Sequence, residues 1–462
     1  MGQKSECFAL CLIIGVLLSV SAVAETPAAQ ASSKAIVIHA GTLLLEPPHA
    51  PLQRQTVLVV DDHIAEIRDG FVAPSAMVKA GQPAPTFIDL SSKFVLPGLI
   101  DSHVHLSYAA GPDLLAYLRQ SDSEQALGAM VLARRALMAG FTTVADCGSG
   151  PEIIYAIRNA INAGRYLGPE ILAAGLPITS RGGHADTPGL REDLFQDAER
   201  RQSGVCWDEG SCRDAVRLQI KRSSDFIKIM ASGGFSSGTG RLQQFTLEEM
   251  RAAVDATHMR GYRITTHAYA THAISDAVAA GVDSVEHGIG LDEPTAKEMA
   301  KRGVYLVPTM MVYEPEKRHK NIALVNADAV QKMRDEATLM SRRAVEIAIR
   351  NKVPLAFGTD VTQSSVGQNA YEFSLLVRAG LTPLQAIASA TTEGAKHLGI
   401  AERVGSIAPG KRADLIAVEG NPIVDVDVLR NVEFVMKAGR IAKIDGQVQP
   451  AEKWGSDAPA LP

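Results

Sequence analysis

The stretch RITTHAYATHAISDAVAAGVDSVEHGIG, Arg263 to Gly290, decides the fold. It opens on Ile264-Thr265-Thr266-His267, a β-branched run that reads as a strand. Strands and helices alternate through this part of the chain, and Val282-Asp283-Ser284-Val285 starts a second strand. Strand, helix and strand in so short a span make a βαβ unit, which places parallel strands side by side. Each strand ends on a histidine, His267 and His287.

The alternation continues in both directions. Further apolar runs lie at Phe141–Ala145, Ile171–Leu176, Phe226–Met230, Val304–Val307 and Val353–Phe357. Between them, Ser123–Ala139 is apolar at i, i+3, i+4 spacing and stops at Gly140. With the run into His103, the units number eight, so the spacing predicts an α/β fold with a (β/α)8 TIM barrel over residues 96–400. The outer parts are β-rich: Ala35 to Leu45, Thr56 to Ile67 with a turn at Asp61-Asp62, Thr86 to Leu99, Asp414 to Val418, and Val432 to Ile444. Residues 35–95 and 401–447 are therefore expected to fold together as a small β-sandwich side domain, with 448–462 a loose tail.

Composition narrows the class. Of 462 residues, 46% are hydrophobic and 21% charged, the mix of a folded globular protein. Lys and Arg total 46 against 51 Asp and Glu, a net charge of −5 with no basic stripe, which argues against nucleic acid as a partner. Lys4 precedes an apolar stretch including Leu10 to Val20 that ends in Ala22-Val23-Ala24, the pattern of a signal peptide over 1–24 followed by a linker over 25–34. A single-pass anchor is the alternative. Cleavage near Ala24 implies an exported protein, periplasmic or secreted, with no membrane contact afterwards. Cys7 and Cys11 leave with that signal, Cys147 sits in an apolar context, and Cys206 and Cys212 share the stretch GVCWDEGSC. An exported protein could bridge that last pair; two free thiols is the alternative.

The chemistry concentrates at strand ends. His103 and His105 form H-V-H, and residues i and i+2 of a strand face one side. His267 and His287 end the fifth and sixth strands, and Asp360 follows Phe357-Gly358-Thr359 at the end of the eighth. The C-terminal strand ends of a barrel carry its catalysis. Imidazole nitrogen with carboxylate oxygen suits Zn²⁺ and related divalent ions. Lys228 lies in Phe226-Ile227-Lys228-Ile229-Met230, too apolar for a surface lysine, so its amine must be paired, neutralised or modified. Carbamylation by CO₂ would turn it into a carboxylate able to bridge two metals; neutralisation by a nearby acid is the alternative.

The motifs PGLIDSHVH (97–105), GFTTVAD (140–146), FIKIMASGG (226–234), the strand-end His267, EHG (286–288), GTD (358–360) and GSIAPGKRADL (405–415) resemble those of the amidohydrolase superfamily. The binuclear branch of prolidase-like dipeptidases and N-acyl amino acid hydrolases is the most similar. The resemblance implies His103, His105 and Asp360 on a buried metal, His267 and His287 on an outer one, and carbamylated Lys228 between them. It further implies two divalent ions, most simply zinc, that share a hydroxide nucleophile, with Asp360 as proton shuttle. The substrate would be a small amide or dipeptide that releases its C-terminal amino acid. Some similar enzymes hydrolyse ochratoxin A, an aryl amide of phenylalanine. Such enzymes often form homo-oligomers, so more than a monomer is expected. Ala145 stands where many relatives have Arg, a departure in the second-strand surroundings.

Other residues have softer roles. His184, in RGGHAD (181–186), matches a G-G-H motif of similar enzymes and could hydrogen-bond the substrate carbonyl or the tetrahedral intermediate. Tyr269 could reach a substrate carboxylate or pack at the rim. Gly233 and Gly234 would let their loop approach the substrate, or shape a turn. Arg181 and Arg241 could pair with an anionic substrate, and His272 is equally well a surface helix residue. A hydrolase of cyclic amides or esters on the same core stays open, as does a non-catalytic exported binding protein. Degenerate copies usually lose ligands, and all six positions are filled here.

Overall fold

The computed structural model of the chain describes residues 34–80, 82–107, 119–186, 204–235, 237–314 and 327–450. The expected signal peptide, the linker up to residue 33 and the tail from residue 451 lie outside the described residues.

Both chain ends meet in one sheet. β1 (Ala35–Leu43), β2 (Leu52–Val60), β3 (His63–Asp69) and β4 (Thr86–Pro97) come from the N-terminal part. β1 pairs antiparallel with β2 and parallel with β4, and β2 pairs antiparallel with β3. β4 is long enough to serve two partners: its last residues, Phe94–Pro97, pair antiparallel with Leu415–Val418 of the C-terminal part. The eight-stranded sheet wraps a core to which both ends contribute, Ile38, Leu43, Val57 and Ile88 from one and Leu415, Phe434 and Met436 from the other. Full burial of each such side chain contributes about 1.5–3 kcal/mol. The predicted turn at Asp61-Asp62 is present and lies so close to Gly439 that a Cβ there would fall 1.8 Å from the Asp61 carbonyl oxygen.

The barrel strands follow in chain order. β5 (Leu99–Val104), β6 (Phe141–Asp146) and β7 (Glu170–Ala173) form one parallel arc. A short parallel pair, β8 (Thr179–Ser180) and β9 (Val205–Cys206), branches off after it. β10 (Ile227–Met230), β11 (Ile264–Ala268), β12 (Ser284–His287) and β13 (Tyr305–Val307) form the second arc. Regular ladders do not run unbroken round the ring. One seam is bridged at Ile178–Ile229, and the other is filled by the run 354–361, bridged to β13 at Leu355 and to β5 at Val361. That run is the eighth strand of the predicted barrel. The remaining strands, β14 (Leu415–Val418), β15 (Val432–Lys437), β16 (Arg440–Ile444) and β17 (Gln447–Val448), complete the side sheet, whose last strand runs one residue past the expected boundary at 447.

Helices α1 (Asp122–Met138), α2 (Pro151–Asn162), α3 (Glu209–Lys221), α4 (Leu247–His258), α5 (Thr271–Ala280) and α6 (Glu293–Arg302) alternate with the strands. α7 (Ala327–Arg350), α8 (Tyr371–Arg378), α9 (Pro383–Ser389) and α10 (Thr392–His397) follow. Their ends are written in the sequence. Ser121 with Glu124 and Thr246 with Glu249 form capping boxes, satisfying backbone donors that the first turn leaves open. Gly281 and Gly303 close α5 and α6 in the left-handed conformation that a Cβ disfavours. α1 buries Ala129, Leu132, Ala133, Ala136 and Leu137, the face its periodicity predicts.

Sheet and barrel are joined by charge as well as by packing. Glu170 of β7 holds Arg412 and Arg403, the latter at 2.8 Å, while Asp414 holds Arg412 and, at 3.0 Å, Lys437. Burial works against the Asp414 carboxylate, but Lys437 and Arg412 keep it below the usual carboxylate range.

Candidate active site

All the barrel strands run parallel, so their C-terminal ends share one rim, and the predicted residues gather there. His103 and His105 stand at and just beyond the end of β5. Their Nε2 atoms lie 3.6 and 3.2 Å from the same Asp360 oxygen. Their other nitrogens are committed elsewhere: His103 Nδ1 to Glu286 Oε2 at 2.6 Å, and His105 Nδ1–H to the Gly148 carbonyl at 2.8 Å. A ring fixed at one nitrogen offers the other in a set direction, as metal-ligating histidines do. The same holds on the far side, where His267 donates from Nε2 to the Gly233 carbonyl at 3.0 Å and His287 Nδ1 meets Thr309 Oγ1 at 2.6 Å. The His267 and His287 rings lie 4.6 Å apart and those of His103 and His287 5.1 Å. His103, His287 and Asp360 each offer a ligand atom within 4.8 Å of the others'.

Three residues of this cluster take left-handed backbone angles rare outside glycine: His287 (φ 67°), Thr309 (φ 48°) and Asp360 (φ 54°). Each turns the chain as it leaves a strand end, aiming a side chain back across the mouth. Such strain persists only where surrounding structure enforces it. Around Asp360 the enforcement is visible. Asp101 accepts from the His103 backbone N at 3.1 Å, Thr359 Oγ1 at 2.6 Å and Asn369 Nδ2 at 2.7 Å, tying the first strand to the eighth. Burial pushes the Asp101 carboxyl up to about 7 against those donors.

The electrostatics favour ligating forms. Burial, then Lys228, holds His103 well below its usual pKa. Burial and neighbouring groups including Lys228 do the same to His267 and His287, so these rings stay neutral, the form that binds metals. Burial opposes ionisation of Asp360, yet the hydrogen bond from His105 and the charges around it lower its pKa. Lys228 is 1% exposed and its Nζ has no hydrogen-bonding partner. An amine so enclosed costs several kcal/mol unless something else is bound to it or near it. Four neutral or pinned imidazoles, one ionised carboxylate and an orphaned amine fit a divalent metal centre.

The softer candidates divide. His184 lies at the mouth, its ring stacked 4.5 Å from His267 and its Nδ1 2.6 Å from Ser237 Oγ. Burial lowers its pKa to about 4. Tyr269 is buried against His267, ring centroids 4.4 Å apart, and against Phe235 and Tyr313. The two glycines serve the protein's own packing: the Gly233 carbonyl holds His267, and a Cβ on Gly234 would fall 2.1 Å from the His184 ring. Arg181 stacks on Trp207 and Arg241 faces Glu336, while His272 is an exposed residue of α5. Cys206 and Cys212 are disulfide-bonded, and Cys147 is a free, buried thiol whose pKa burial pushes up.

Sequence reasoning assigned no role to Glu286 or Asp101, although both are acids inside apolar strands and the argument that singled out Lys228 applies to them. Thr309, Ser237 and the Gly148 carbonyl carried no such signal.

Fold and site together define a barrel whose histidines and Asp360 converge at its C-terminal rim. Residues 94–443 match the model of the amidohydrolase family. Ochratoxinase of Aspergillus niger is 30% identical over 455 residues, covering 92% of this chain and 89% of its own. The crystal structure of that enzyme superposes with a TM-score of 0.77 at 27% identity, covering 93% of this chain and 99% of its own. That of a Xaa-Pro dipeptidase with methionine bound in its active site gives 0.81 at 35%, covering 89% and 100%. The chain belongs to the amidohydrolase family and is an amide or peptide hydrolase.

Proposed function

We propose that this enzyme adds water across an amide bond to release the C-terminal amino acid of a dipeptide or N-acyl amino acid, ochratoxin A among the candidates. The observation that carries the reading is Lys228, a buried amine without a hydrogen-bonding partner whose charge bears on His103, His267, His287 and Asp360. In this reading His103, His105 and Asp360 would hold one divalent ion, zinc by preference, and His267 and His287 a second. Lys228 would supply a further carboxylate ligand as a carbamate, its neutral amine adding to the carbon of CO₂ with loss of one proton to water. Bound there, the ions supply Lewis acidity and lower the pKa of water toward neutrality.

The chain's own residues do the rest. Asp360, ionised and 3.2 Å from His105, takes the proton of the attacking water and returns it to the leaving amine. Glu286 and the Gly148 carbonyl keep the His103 and His105 rings from turning. His184, neutral above about pH 4, hydrogen-bonds the carbonyl oxygen as it gains charge. Tyr269 walls the site and faces the carboxylate of the departing residue. The names of the relatives support this substrate class: one acts on ochratoxin, another is a Xaa-Pro dipeptidase with a free amino acid in its active site.

Export belongs to the same reading, and the Cys206–Cys212 bridge accords with an oxidising compartment. So does assembly as a homo-oligomer, which light scattering on the purified protein checks. The central test combines metal analysis of the mature protein with a panel of Xaa-Pro and Xaa-Arg dipeptides, N-acyl amino acids and ochratoxin A. Two ions per chain and a free amino acid product are expected. Hydrolysis confined to cyclic amides or esters would overturn the substrate assignment.

A further inference from the structure

The opposite face of the barrel holds a cavity of about 270 Å³ at the N-terminal ends of β10, β11 and β12, with Leu172 of β7 beside it. Its inner end reaches Ser102, Thr265 and Ser284 in the barrel interior, and His397 lies alongside. Two buried polar atoms lie behind its lining: Ser102 Oγ and His397 Nδ1, on residues 2% and 5% exposed, have no hydrogen-bonding partner and almost no accessible surface. Neither atom faces the space, so the guest is set by the charged and apolar groups that do.

The rest of the lining says which guest. Arg263 is the lining cation, and its nearest carboxylate oxygen, Asp283 Oδ1, is 3.9 Å away, beyond hydrogen-bonding range. Asp225 and Asp283 use Oδ2 for their close partners, Arg158 at 2.6 Å and His258 at 3.1 Å, which leaves each Oδ1 without a close one. Leu172, Phe226 and Leu398 supply an apolar wall. One guanidinium, two carboxylate edges and an apolar surface are the complement of a zwitterion with an apolar side chain.

We propose that this cavity is a binding site for a free α-amino acid, its carboxylate on Arg263, its ammonium against Asp225 and Asp283, and its side chain on the apolar wall. The site is one layer of side chains from the catalytic rim. Thr265 and Ser284 donate to Glu286 Oε1, the latter at 3.2 Å, and Glu286 Oε2 holds His103. Binding needs nothing from the reaction proposed above. Only the consequence, that the ligand is the enzyme's own product and acts back on His103, rests on that reading.

The test is calorimetric titration of the metal-containing full chain with phenylalanine, methionine and glycine, repeated on Arg263→Gln and Leu398→Trp. Neither residue belongs to the catalytic rim. Expected is binding of phenylalanine or methionine that weakens by about tenfold or more in both variants, with turnover at low amino acid unchanged. N-acetylated, C-amidated phenylalanine should not compete. In product-inhibition kinetics the same variants should lose a non-competitive component. Absence of binding, or binding equal in wild type and both variants, overturns the site. Binding lost in the variants of an enzyme that releases no amino acid would keep the site and remove only the feedback and the proposed reaction.

Discussion

Lys228 shows how a single residue can announce chemistry. Its amine is enclosed without a partner beside rings held neutral by burial, an arrangement that would cost stability for nothing were the amine left bare. Lys228→Met should leave a folded protein with little bound metal and turnover down by about 10³-fold or more, and added formate or propionate should restore part of it. Metal analysis and rates with and without the acid check this; full activity without rescue would dismiss the bridging role. Glu286 acts through His103, which it holds at 2.6 Å. Glu286→Gln keeps the shape but weakens that hold, and a loss of about 10–100-fold in metal affinity or turnover is expected. The readout that separates this from general damage is the metal dissociation constant, measured beside an unchanged unfolding midpoint.

Elements place these residues through their ends rather than their middles. A strand end that must turn a side chain inward adopts a positive φ, as at His287 and Asp360. The loop after β10 works by close approach: a Cβ on Gly234 would meet the His184 imidazole at 2.1 to 2.5 Å. Gly234→Ala should therefore push His184 off its stack on His267 and lower kcat/KM by about tenfold or more, most of it in kcat if His184 acts on the transition state. Circular dichroism should be unchanged. A rise in KM alone would instead make His184 a ground-state contact.

Across the whole molecule, the side sheet and the barrel share buried charges. Asp414 holds Lys437 and Arg412, and Glu170 holds Arg412 and Arg403. Removing one partner leaves a buried charge uncompensated, so Asp414→Asn should destabilise by about 3–5 kcal/mol, read as a fall in the urea midpoint. Acid adds a second dependence. His397 is buried with its pKa lowered to about 4, chiefly by burial, with Glu286 opposing and Arg263 reinforcing. An unfolded histidine takes its proton near pH 6.5 and the folded one only near 4, so stability is lost as pH falls through that window. The loss is of the order of 3 kcal/mol, and His397→Gln should flatten that part of the stability profile.

The sequence by itself determined the alternation of strands and helices, the strand-end histidines and the buried lysine. Each rests on local physics: a period of two or of 3.6, a cap, an amine in an apolar run. The Cys206–Cys212 pair was legible as a possibility, and the structure shows the bridge. Tertiary structure alone decided the partners that hold the site. That His103 leans on Glu286 and Asp101 on Asn369 depends on contacts 183 and 268 residues apart, which no local pattern encodes. It also decided that Gly233 and Gly234 pack against His267 and His184, that isolated bridges link the two arcs of strands at their seams, and that a cavity lined by Ser102, Arg263 and His397 lies at the opposite end from the histidine cluster. Periodicity tells which way a side chain faces; what it meets there is settled only when distant strands close into one ring.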